Sequence, residues 1–204
     1  MSLLRRQLVA KAALGVFLRH GYARTTMADI AQAADLSRPT LYLTFADKDD
    51  VFRAVVERIV STKLDAIRAG AVDLAGVDAK LDYACEVWGV QGVELVHANP
   101  NAQDVFDIRF ESVREGYAAF EALLIEILSE PLTEAKLDVS ASDLARVLVF
   151  GIKGFKDVAR DGAEMRVMVR ALTTVVSAAL RPSPVKIPPA PKKKTVRGKP
   201  KSRA

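Results

Sequence analysis

The chain of 204 residues is poor in the residue types that build metal and redox sites. Cys85 is the single cysteine, so one chain forms neither an internal disulfide nor a cysteine-built zinc or iron–sulfur centre. Neither of the two histidines, His20 and His97, has a second histidine at a helical spacing that would complete a metal site. We therefore expect no metal and no cofactor, and we interpret Cys85 as a small core residue.

Long apolar runs are also missing. No stretch approaches the roughly 20 apolar residues of a membrane span, and the N-terminus lacks the apolar core of a signal peptide. We expect no membrane partner and a cytoplasmic location. Half of the residues are apolar, which is enough for one large helical domain or for a small domain joined to a larger one.

Charge is segregated along the chain, although the net formal charge is only +5. Residues 1–48 hold seven lysines and arginines against three aspartates, whereas residues 49–180 sum to −8. From residue 181 onward there are nine lysines and arginines and no acid. A basic N-terminal segment, an acidic middle and a basic tail predict a polyanion as the partner of the two ends.

Helical periodicity dominates the chain to about residue 180, and strand patterns are essentially absent, so the sequence predicts an all-α protein. The first helix follows an apolar stripe from Val9 to Phe17 and should stop at Gly21. Later helices are predicted near residues 47–68, 78–97, 102–111, 113–130, 141–160 and 163–180, with breaks at Asn99-Pro100 and Pro131.

Two short helices are predicted between the first helix and the long one. Thr26, with Asp29 three residues later, marks the start of the first short helix, and Ser37 followed by Pro39 marks the start of the second. A tight turn between two short helices, after a supporting helix, has the proportions of a helix-turn-helix unit. The second short helix, residues 37–45, is therefore the predicted recognition helix.

Polar groups of this unit define the predicted DNA contacts. Side chains of the recognition helix would discriminate bases, while backbone N–H groups at helix starts, reinforced by a hydroxyl or ammonium group, would bind phosphates. The predicted contacts are Arg24, Thr26, Ser37, Arg38, Pro39, Thr40, Tyr42, Thr44 and Lys48.

The N-terminal residues resemble a known family. Ala12-Ala13, Phe17, Gly21-Tyr22, Thr25-Thr26-Met27, Ile30-Ala31, Ala34, Leu36-Ser37, Thr40-Leu41-Tyr42, Phe45 and Lys48 follow, in order and spacing, the DNA-binding signature of TetR-type transcriptional regulators. The resemblance covers residues 1–52 and implies an all-helical effector domain whose last two long helices form a dimeric four-helix bundle. Asp35 stands where the family usually has glycine, so we expect a left-handed backbone at an aspartate.

The predicted organisation has three parts. Residues 1–48 form an N-terminal three-helix helix-turn-helix DNA-binding domain, residues 49–180 a helical effector-binding and dimerisation domain, and residues 181–204 a disordered basic tail. Within the tail, Arg197-Gly198-Lys199-Pro200 resembles a relaxed AT-hook of the minor groove, and a solvated charged tail is the alternative interpretation.

Two residue sets are assigned to the helical domain. A small-molecule effector is expected among its aromatic residues, for which core packing is the alternative, and the last two helices should form the dimer interface. Candidate pocket residues are Trp88, Gln91, Phe106, Phe110, Tyr117 and Phe120, with His97 and Arg109 as further polar candidates. Candidate interface residues are Leu148, Gly151, Ile152, Phe155, Met168, Leu172, Val175 and Val176.

The function that the sequence favours is ligand-responsive transcriptional regulation, most simply repression. A homodimer would bind double-stranded DNA at a palindromic operator, and a small-molecule effector would release it through the long helix that joins the two domains. One alternative is an architectural protein that binds DNA broadly through its basic ends. An enzyme is the other, but the sequence contains no recognisable catalytic or phosphate-binding motif.

Overall fold

The computed structural model describes residues 3–181, and this part of the chain is all-α as predicted. Within it lie one π-helical turn, Glu86–Val90, one 3₁₀ segment, Pro100–Phe106, and nine α-helices. The helices are α1 (Leu3–Arg24), α2 (Met27–Ala33), α3 (Arg38–Tyr42), α4 (Lys48–Ala71), α5 (Gly76–Cys85), α6 (Gln91–His97), α7 (Glu111–Ala135), α8 (Ala141–Val158) and α9 (Gly162–Ala179). The predicted basic tail, from residue 182 onward, and its Arg197-Gly198-Lys199-Pro200 segment lie outside the described residues.

Side-chain caps start the helices of the N-terminal unit where the sequence predicts them. Thr26 and Asp29 form a reciprocal capping box on α2, and the Ser37 hydroxyl accepts a backbone N–H at the start of α3. Asp47 caps α4 in the same way. Each cap satisfies an N–H that the helix itself leaves unpaired, so these short helices begin at defined residues.

The predicted breaks are confirmed at Gly21 and wrong at Pro131. Gly21 has φ 77° and ψ 165° and interrupts α1 near its end. Helix α7, in contrast, continues through Pro131 to Ala135. The buried side chains of Leu128 and Leu132 extend the apolar face past the proline, so packing outweighs the lost hydrogen bond.

The stretch predicted as a helix over residues 102–111 is also different in the structure. It forms the 3₁₀ segment Pro100–Phe106 and a short turn, and α7 begins at Glu111. Proline is the first residue of that segment, where its missing N–H has no helical acceptor to lose.

Two hydrophobic clusters form the core. The N-terminal cluster contains Leu41 and Phe45 from the region of α3, and Val105 from the 3₁₀ segment. The C-terminal cluster joins α5, the π turn, α7, α8 and α9, and it contains Cys85, which is fully buried as interpreted. Helix α4 supplies residues to both clusters. The domain boundary predicted between residues 48 and 49 stays a prediction, and it falls at the start of this shared helix.

Two of the sequence expectations concern membrane-spanning helices and metal-binding groups. Every helix over residues 3–181 falls short of the length and apolar character that a bilayer crossing requires. The same residues bring together no group of three or more histidine, cysteine or acidic side chains able to hold a metal ion.

Candidate DNA-binding surface and ligand cavity

Helix α3 presents one anchored face and one open face. Leu41, within the helix, and Phe45, just after it, are buried in the N-terminal cluster. Arg38, Pro39 and Tyr42 are exposed, and 47% of the Tyr42 surface is accessible. Among the described residues neither the Arg38 guanidinium nor the Tyr42 hydroxyl has a hydrogen-bond partner. These two donors are therefore available to an external acceptor.

The remaining polar groups of this helix are partly used within it. Ser37 Oγ accepts the Thr40 N–H at 3.2 Å and lies 2.7 Å from Thr40 Oγ1. Thr44 Oγ1 donates to the Thr40 carbonyl at 3.4 Å. The helix ends at Tyr42, earlier than the predicted residue 45, and Thr44 lies in the turn that follows.

Arg6 on α1 holds the turn between α3 and α4. Its guanidinium donates to the Thr44 carbonyl at 2.9 Å and to the Asp50 carboxylate at 2.6 Å, and it lies 4.2 Å from the centre of the Phe45 ring. The hydrogen bond from Arg6 lowers the pKa of Asp50 below its usual range. The orientation of α3 is thus fixed from α1, a role that no local motif in the sequence indicates.

Lys48 is committed to an internal contact. Its ammonium group donates to the Tyr22 carbonyl at 3.0 Å and lies 4.2 Å above the Tyr22 ring. The Tyr22 hydroxyl in turn donates to Asp49, and burial together with this bond raises the pKa of Tyr22. A phosphate contact of Lys48 stays a prediction, because the same ammonium fastens the end of α1 to the start of α4.

The other predicted phosphate ligands lie near the ends of α1 and α2. Arg24 is exposed, and its Nε donates to the His20 carbonyl at 2.9 Å. The Thr26 backbone N–H and hydroxyl both donate to the Asp29 carboxylate, at 2.8 and 2.7 Å. In the turn that joins α2 to α3, Asp35 has φ 53°, the left-handed conformation that the sequence predicted for it.

The 3₁₀ segment forms a clamp on the end of α1 that sequence analysis missed. The Asp104 carboxylate accepts the backbone N–H groups of Tyr22 and Ala23, each at 2.9 Å. The Asn101 side-chain amide donates to the Arg19 carbonyl at 2.9 Å. The partners lie about 80 residues apart in sequence, so no periodic pattern joins them.

A cavity of about 560 Å³ lies between α4, the π turn, α6, the 3₁₀ segment, α7 and α8. Its volume falls within the range of small-molecule sites. Most of its wall is apolar. Trp88, Phe106, Tyr117 and His97, four of the candidate pocket residues, line it.

The other four candidates do not line this cavity. Gln91 is exposed on α6, and Phe110 packs on Tyr22 and Phe52, with ring centres 4.7 Å from each. Phe120 is fully buried and stacks on Trp88 at 4.4 Å, outside the cavity wall. The fourth, Arg109, pairs with Asp107 at 2.6 Å in an exposed position. Phe110 packs against the N-terminal cluster and Phe120 lies in the C-terminal cluster. The hydrophobic core is the usual place for aromatic residues at helical spacing.

Two lysines of the cavity wall are functional candidates that sequence analysis missed. Lys63 on α4 and Lys156 on α8 are half-buried, and both line the cavity. Desolvation lowers the pKa of Lys63 to about 8. Desolvation and the neighbouring charge of Lys63 lower the pKa of Lys156 to about 7. On a helical pattern a lysine that faces a cavity looks like one that faces solvent, so the sequence carries no signal for this pair.

The predicted dimer interface needs correction at three positions. Leu148, Ile152 and Val176 are buried in the C-terminal cluster of their own chain. The other five candidates, Gly151, Phe155, Met168, Leu172 and Val175, keep some or much of their surface exposed. An apolar face nevertheless lies on the outside of these helices, and it comprises Val147, Phe150 and Val158 of α8 with Val167 and Val175 of α9, each at least 48% exposed. The predicted residues of α8 follow a helical period, but the exposed apolar residues Val147 and Phe150 each lie one position before the predicted Leu148 and Gly151.

Comparison with known proteins adds a match to the N-terminal unit. Residues 9–55 match the model of the family described as bacterial regulatory proteins, tetR family. A curated relative, the HTH-type transcriptional repressor ComR of Escherichia coli (strain K12), is 42% identical over 48 residues. This match spans 24% of the present chain and 23% of that repressor, so the chain is similar to about a quarter of the relative's length.

Solved structures resemble the chain over most of its length. The fatty acid degradation regulator FadR of Bacillus halodurans superposes with a TM-score of 0.66 at 19% identity, covering 90% of this chain and 100% of that one. FadR of Bacillus subtilis, solved in complex with stearoyl-CoA, gives 0.64 at 15% identity over 84% and 97% of the two chains. A regulator of the TetR/AcrR family from Thermobifida fusca gives 0.62 at 21% identity over 83% and 96%. At these identities the likeness shows a shared fold.

Proposed function

Because the chain belongs to the TetR type of helix-turn-helix transcriptional regulators, we propose that it is a ligand-responsive repressor acting on DNA in the cytoplasm. It binds a palindromic operator as a homodimer and leaves the operator when a small molecule occupies the cavity. The observation that carries this proposal is the open face of α3, where Arg38 and Tyr42 are exposed donors on a helix anchored by Leu41 and Phe45. Such a helix suits the major groove.

A dimer is needed to make the operator palindromic, and the outer face of α8 and α9 supports one. Val147, Phe150, Val167 and Val175 expose apolar surface in a position where a second copy would cover it. Two recognition helices would then meet DNA one or more helical turns apart, roughly 34 to 36 Å for each turn.

The dimer proposal has a direct test in Val175→Glu. Since Val175 is 69% exposed in the protomer, the charge should leave the protomer folded while disfavouring an apolar interface. Analytical ultracentrifugation should show a monomer for this variant and a dimer for the natural chain. Thr62→Glu, at an exposed position of α4, is the control and should stay dimeric; a dimeric Val175→Glu variant places the interface elsewhere.

Two elements connect the cavity with the DNA-binding unit. Helix α4 begins beside the recognition helix and supplies Ile59, Val60 and Lys63 to the cavity wall. The 3₁₀ segment supplies Gln103 and Phe106 to the same wall, while its Asp104 holds the end of α1. A ligand that binds one arrangement of these elements better than the other would shift the spacing of the recognition helices.

The apolar wall of the cavity supports an effector with an apolar body. FadR of Bacillus subtilis was solved with stearoyl-CoA, a ligand that has such a body. We propose the same general chemistry, an apolar chain or ring, for the part of the effector that contacts the aromatic and aliphatic wall of this cavity.

Selection of bound duplexes from a random DNA pool, with the full chain, tests the proposed function. We expect enrichment of a palindrome and a specific affinity at least 1000-fold above that for random duplex, the lower end of the usual range. A ratio near one with no enriched palindrome would contradict sequence-specific repression and favour the architectural alternative. The experiment measures both outcomes without knowledge of the effector.

A further inference from the structure

Two lysine side chains of the cavity wall come close to the same glycine. A Cβ atom placed on Gly92 of α6 would lie 3.2 Å from Lys156 Nζ and 3.9 Å from Lys63 Nζ. The two ammonium nitrogens are therefore no more than about 7 Å apart. Any side chain at position 92 would enter the space beside them, so glycine keeps this part of the cavity open.

The two lysines differ in how they are satisfied. Lys63 Nζ donates to the carbonyls of Val87 and Trp88 in the π turn, at 2.6 and 3.4 Å. Lys156 Nζ has no hydrogen bond or carboxylate partner within residues 3–181. It lies instead 5.9 Å from the centre of the Trp88 ring and 5.7 Å from that of Tyr117. The two rings attract the ammonium group only weakly at these distances, and burial still disfavours its charged form, so a bound anion would stabilise it.

The acids of the cavity wall are already paired. Asp157 lies 3.2 Å from Lys153, and Asp107 lies 2.6 Å from Arg109. Asp157 also acts on Lys156 through space, but no carboxylate within residues 3–181 forms an ion pair with Lys63 or Lys156. The wall thus offers two lysine side chains to the anionic group of a ligand.

We propose that the effector cavity is built for an organic carboxylate, whose anionic head lies between Lys63 and Lys156 and whose apolar body lies along Ile59, Val60 and Phe106. This assignment rests on the proposed function, since it names the chemical class of the effector. The charges of the wall favour a monoanion over a polyphosphate, because three lysines stand against two aspartates. Most of the remaining wall is apolar, which suits the body of a fatty or aromatic acid.

Binding of this ligand has a defined pH dependence. The pKa of Lys156 is about 7 in the protein without ligand, so at pH 8 most molecules carry a neutral amine at this position. A carboxylate that binds beside the amine raises this pKa, and the amine then takes up a proton from the buffer. Affinity should fall as the pH rises above 7. The other titratable groups that face the pair are Lys63 from α4, His97 from α6, Asp107 before α7, Tyr117 from α7, and Lys153 and Asp157 from α8.

Isothermal titration calorimetry of the full chain at pH 8 tests the proposal with a series of straight-chain carboxylates from butyrate to dodecanoate. Each acid is paired with its neutral amide, which has the same body and no charge. At least one acid should bind ten-fold or more tightly than its amide. Repeating the titration in buffers of different ionisation enthalpy should show proton uptake for the acid and none for the amide.

Lys156→Met is the decisive variant, because methionine keeps the aliphatic stem and removes the charge. It should lower carboxylate affinity at least ten-fold, abolish the proton uptake and leave amide binding in place. The free variant should melt at a higher temperature than the natural chain, since an unpaired half-buried cation is gone, so loss of affinity is distinguishable from misfolding. Lys136→Met, at an exposed position outside the cavity wall, is the control for one lost charge.

Each outcome decides one of the two proposals. The carboxylate assignment is overturned if no acid of the series binds more tightly than its amide, or if Lys156→Met binds the carboxylate with unchanged affinity. The carboxylate assignment is also overturned if decanoyl-CoA releases the protein from its operator while no free acid binds. That result would leave ligand-responsive repression intact. The calorimetry uses no DNA, so absence of an operator would contradict the proposed function and leave the carboxylate test valid.

Discussion

The polar groups of the helix-turn-helix unit and those of the cavity differ in whether they have hydrogen-bond partners within the chain. In the first, Thr26, Ser37 and Asp47 satisfy helix ends through partners three residues away. In the second, the Lys156 ammonium lines the cavity and lacks a hydrogen-bond partner within the described chain. The first region therefore keeps its fold through partners inside the chain, apart from the open donors on α3. In the second, a bound anion would supply the partner that Lys156 lacks.

The free energy of unfolding should be most sensitive to substitution at Gly21, where the end of α1 contacts the 3₁₀ segment that lines the cavity. In Gly21→Ala the new Cβ would lie 2.4 Å from the Asn101 carbonyl oxygen, at a backbone φ of 77° that alanine rarely adopts. We expect a loss of about 3 kcal/mol in the free energy of unfolding, measured by urea denaturation.

Gly15→Ala on the same helix is the matched control for that substitution. Its Cβ would approach only the end of the flexible Arg19 side chain, at 3.3 Å. The change should be neutral or stabilising by up to about 1 kcal/mol, since alanine is the better helix former. Equal effects at positions 15 and 21 would show that the clamp of the 3₁₀ segment on α1 is not tight.

The open donors of α3 should matter for DNA and not for stability. Arg38→Ala and Tyr42→Ala should each weaken binding to the selected palindrome by about ten-fold or more, a cost of ~1–3 kcal/mol for a base contact, with little change in melting temperature. Fluorescence anisotropy with a labelled operator measures the affinity. Arg68→Ala, an exposed arginine at the far end of α4, should bind as the natural chain does. Unchanged affinity in both α3 variants would contradict the proposed docking.

The turn before α3 should tolerate only some side chains. Asp35→Val puts a β-branched residue at φ 53° and should cost about 1–2 kcal/mol of stability. Asp35→Gly should change stability by less than about 0.5 kcal/mol, because relief of strain and greater freedom of the unfolded chain oppose each other. Thermal unfolding of the three proteins gives the order, and a valine variant as stable as the natural one would show that the left-handed turn is not required.

The cavity should show itself in the pH dependence of stability. The pKa of Lys156 is about 7 in the folded chain and about 10.4 when unfolded. Between these values the unfolded state binds more protons, so stability should rise with pH from about 7 to 10. We expect a gain of ~1 kcal/mol, less than the shift alone would give, because Lys156 lines an open cavity in which water can screen its charge.

Lys156→Met supplies the comparison for that pH series. Without the titrating amine the rise should be smaller, and only the contribution of Lys63 should remain. Urea denaturation at pH 6.5, 8 and 9.5 measures both proteins. An identical pH dependence in the two would mean that Lys156 is fully solvated, which contradicts an uncompensated cation in the cavity.

The contrast between the two regions also explains what the sequence could predict. The caps at Thr26, Ser37 and Asp47 act over three residues, so their chemistry is visible in the sequence itself, and the register of the family signature adds the buried positions of α1 to α4. Arg6 and Asp104 were missed because their partners lie 44 and about 80 residues away.

In the C-terminal domain the helical period was predictable, but the direction of each face was not. Leu148 and Val147 are neighbours and both strongly apolar, yet the first is buried and the second is 58% exposed. Likewise, nothing local separates Lys156 from a surface lysine. Which side of a helix meets its neighbours depends on the packing of the whole domain, and a single sequence does not encode that locally.

Helix α4 places Val55 in the N-terminal cluster and Ile67 in the C-terminal cluster. Melting of either cluster would strip half of one continuous helix of its packing, and the remaining half would lose much of its support. The two clusters should therefore unfold cooperatively, in one thermal transition with a calorimetric enthalpy equal to the van't Hoff enthalpy. A fragment cut at the predicted boundary, residue 48, would lack the part of the N-terminal cluster that this helix provides.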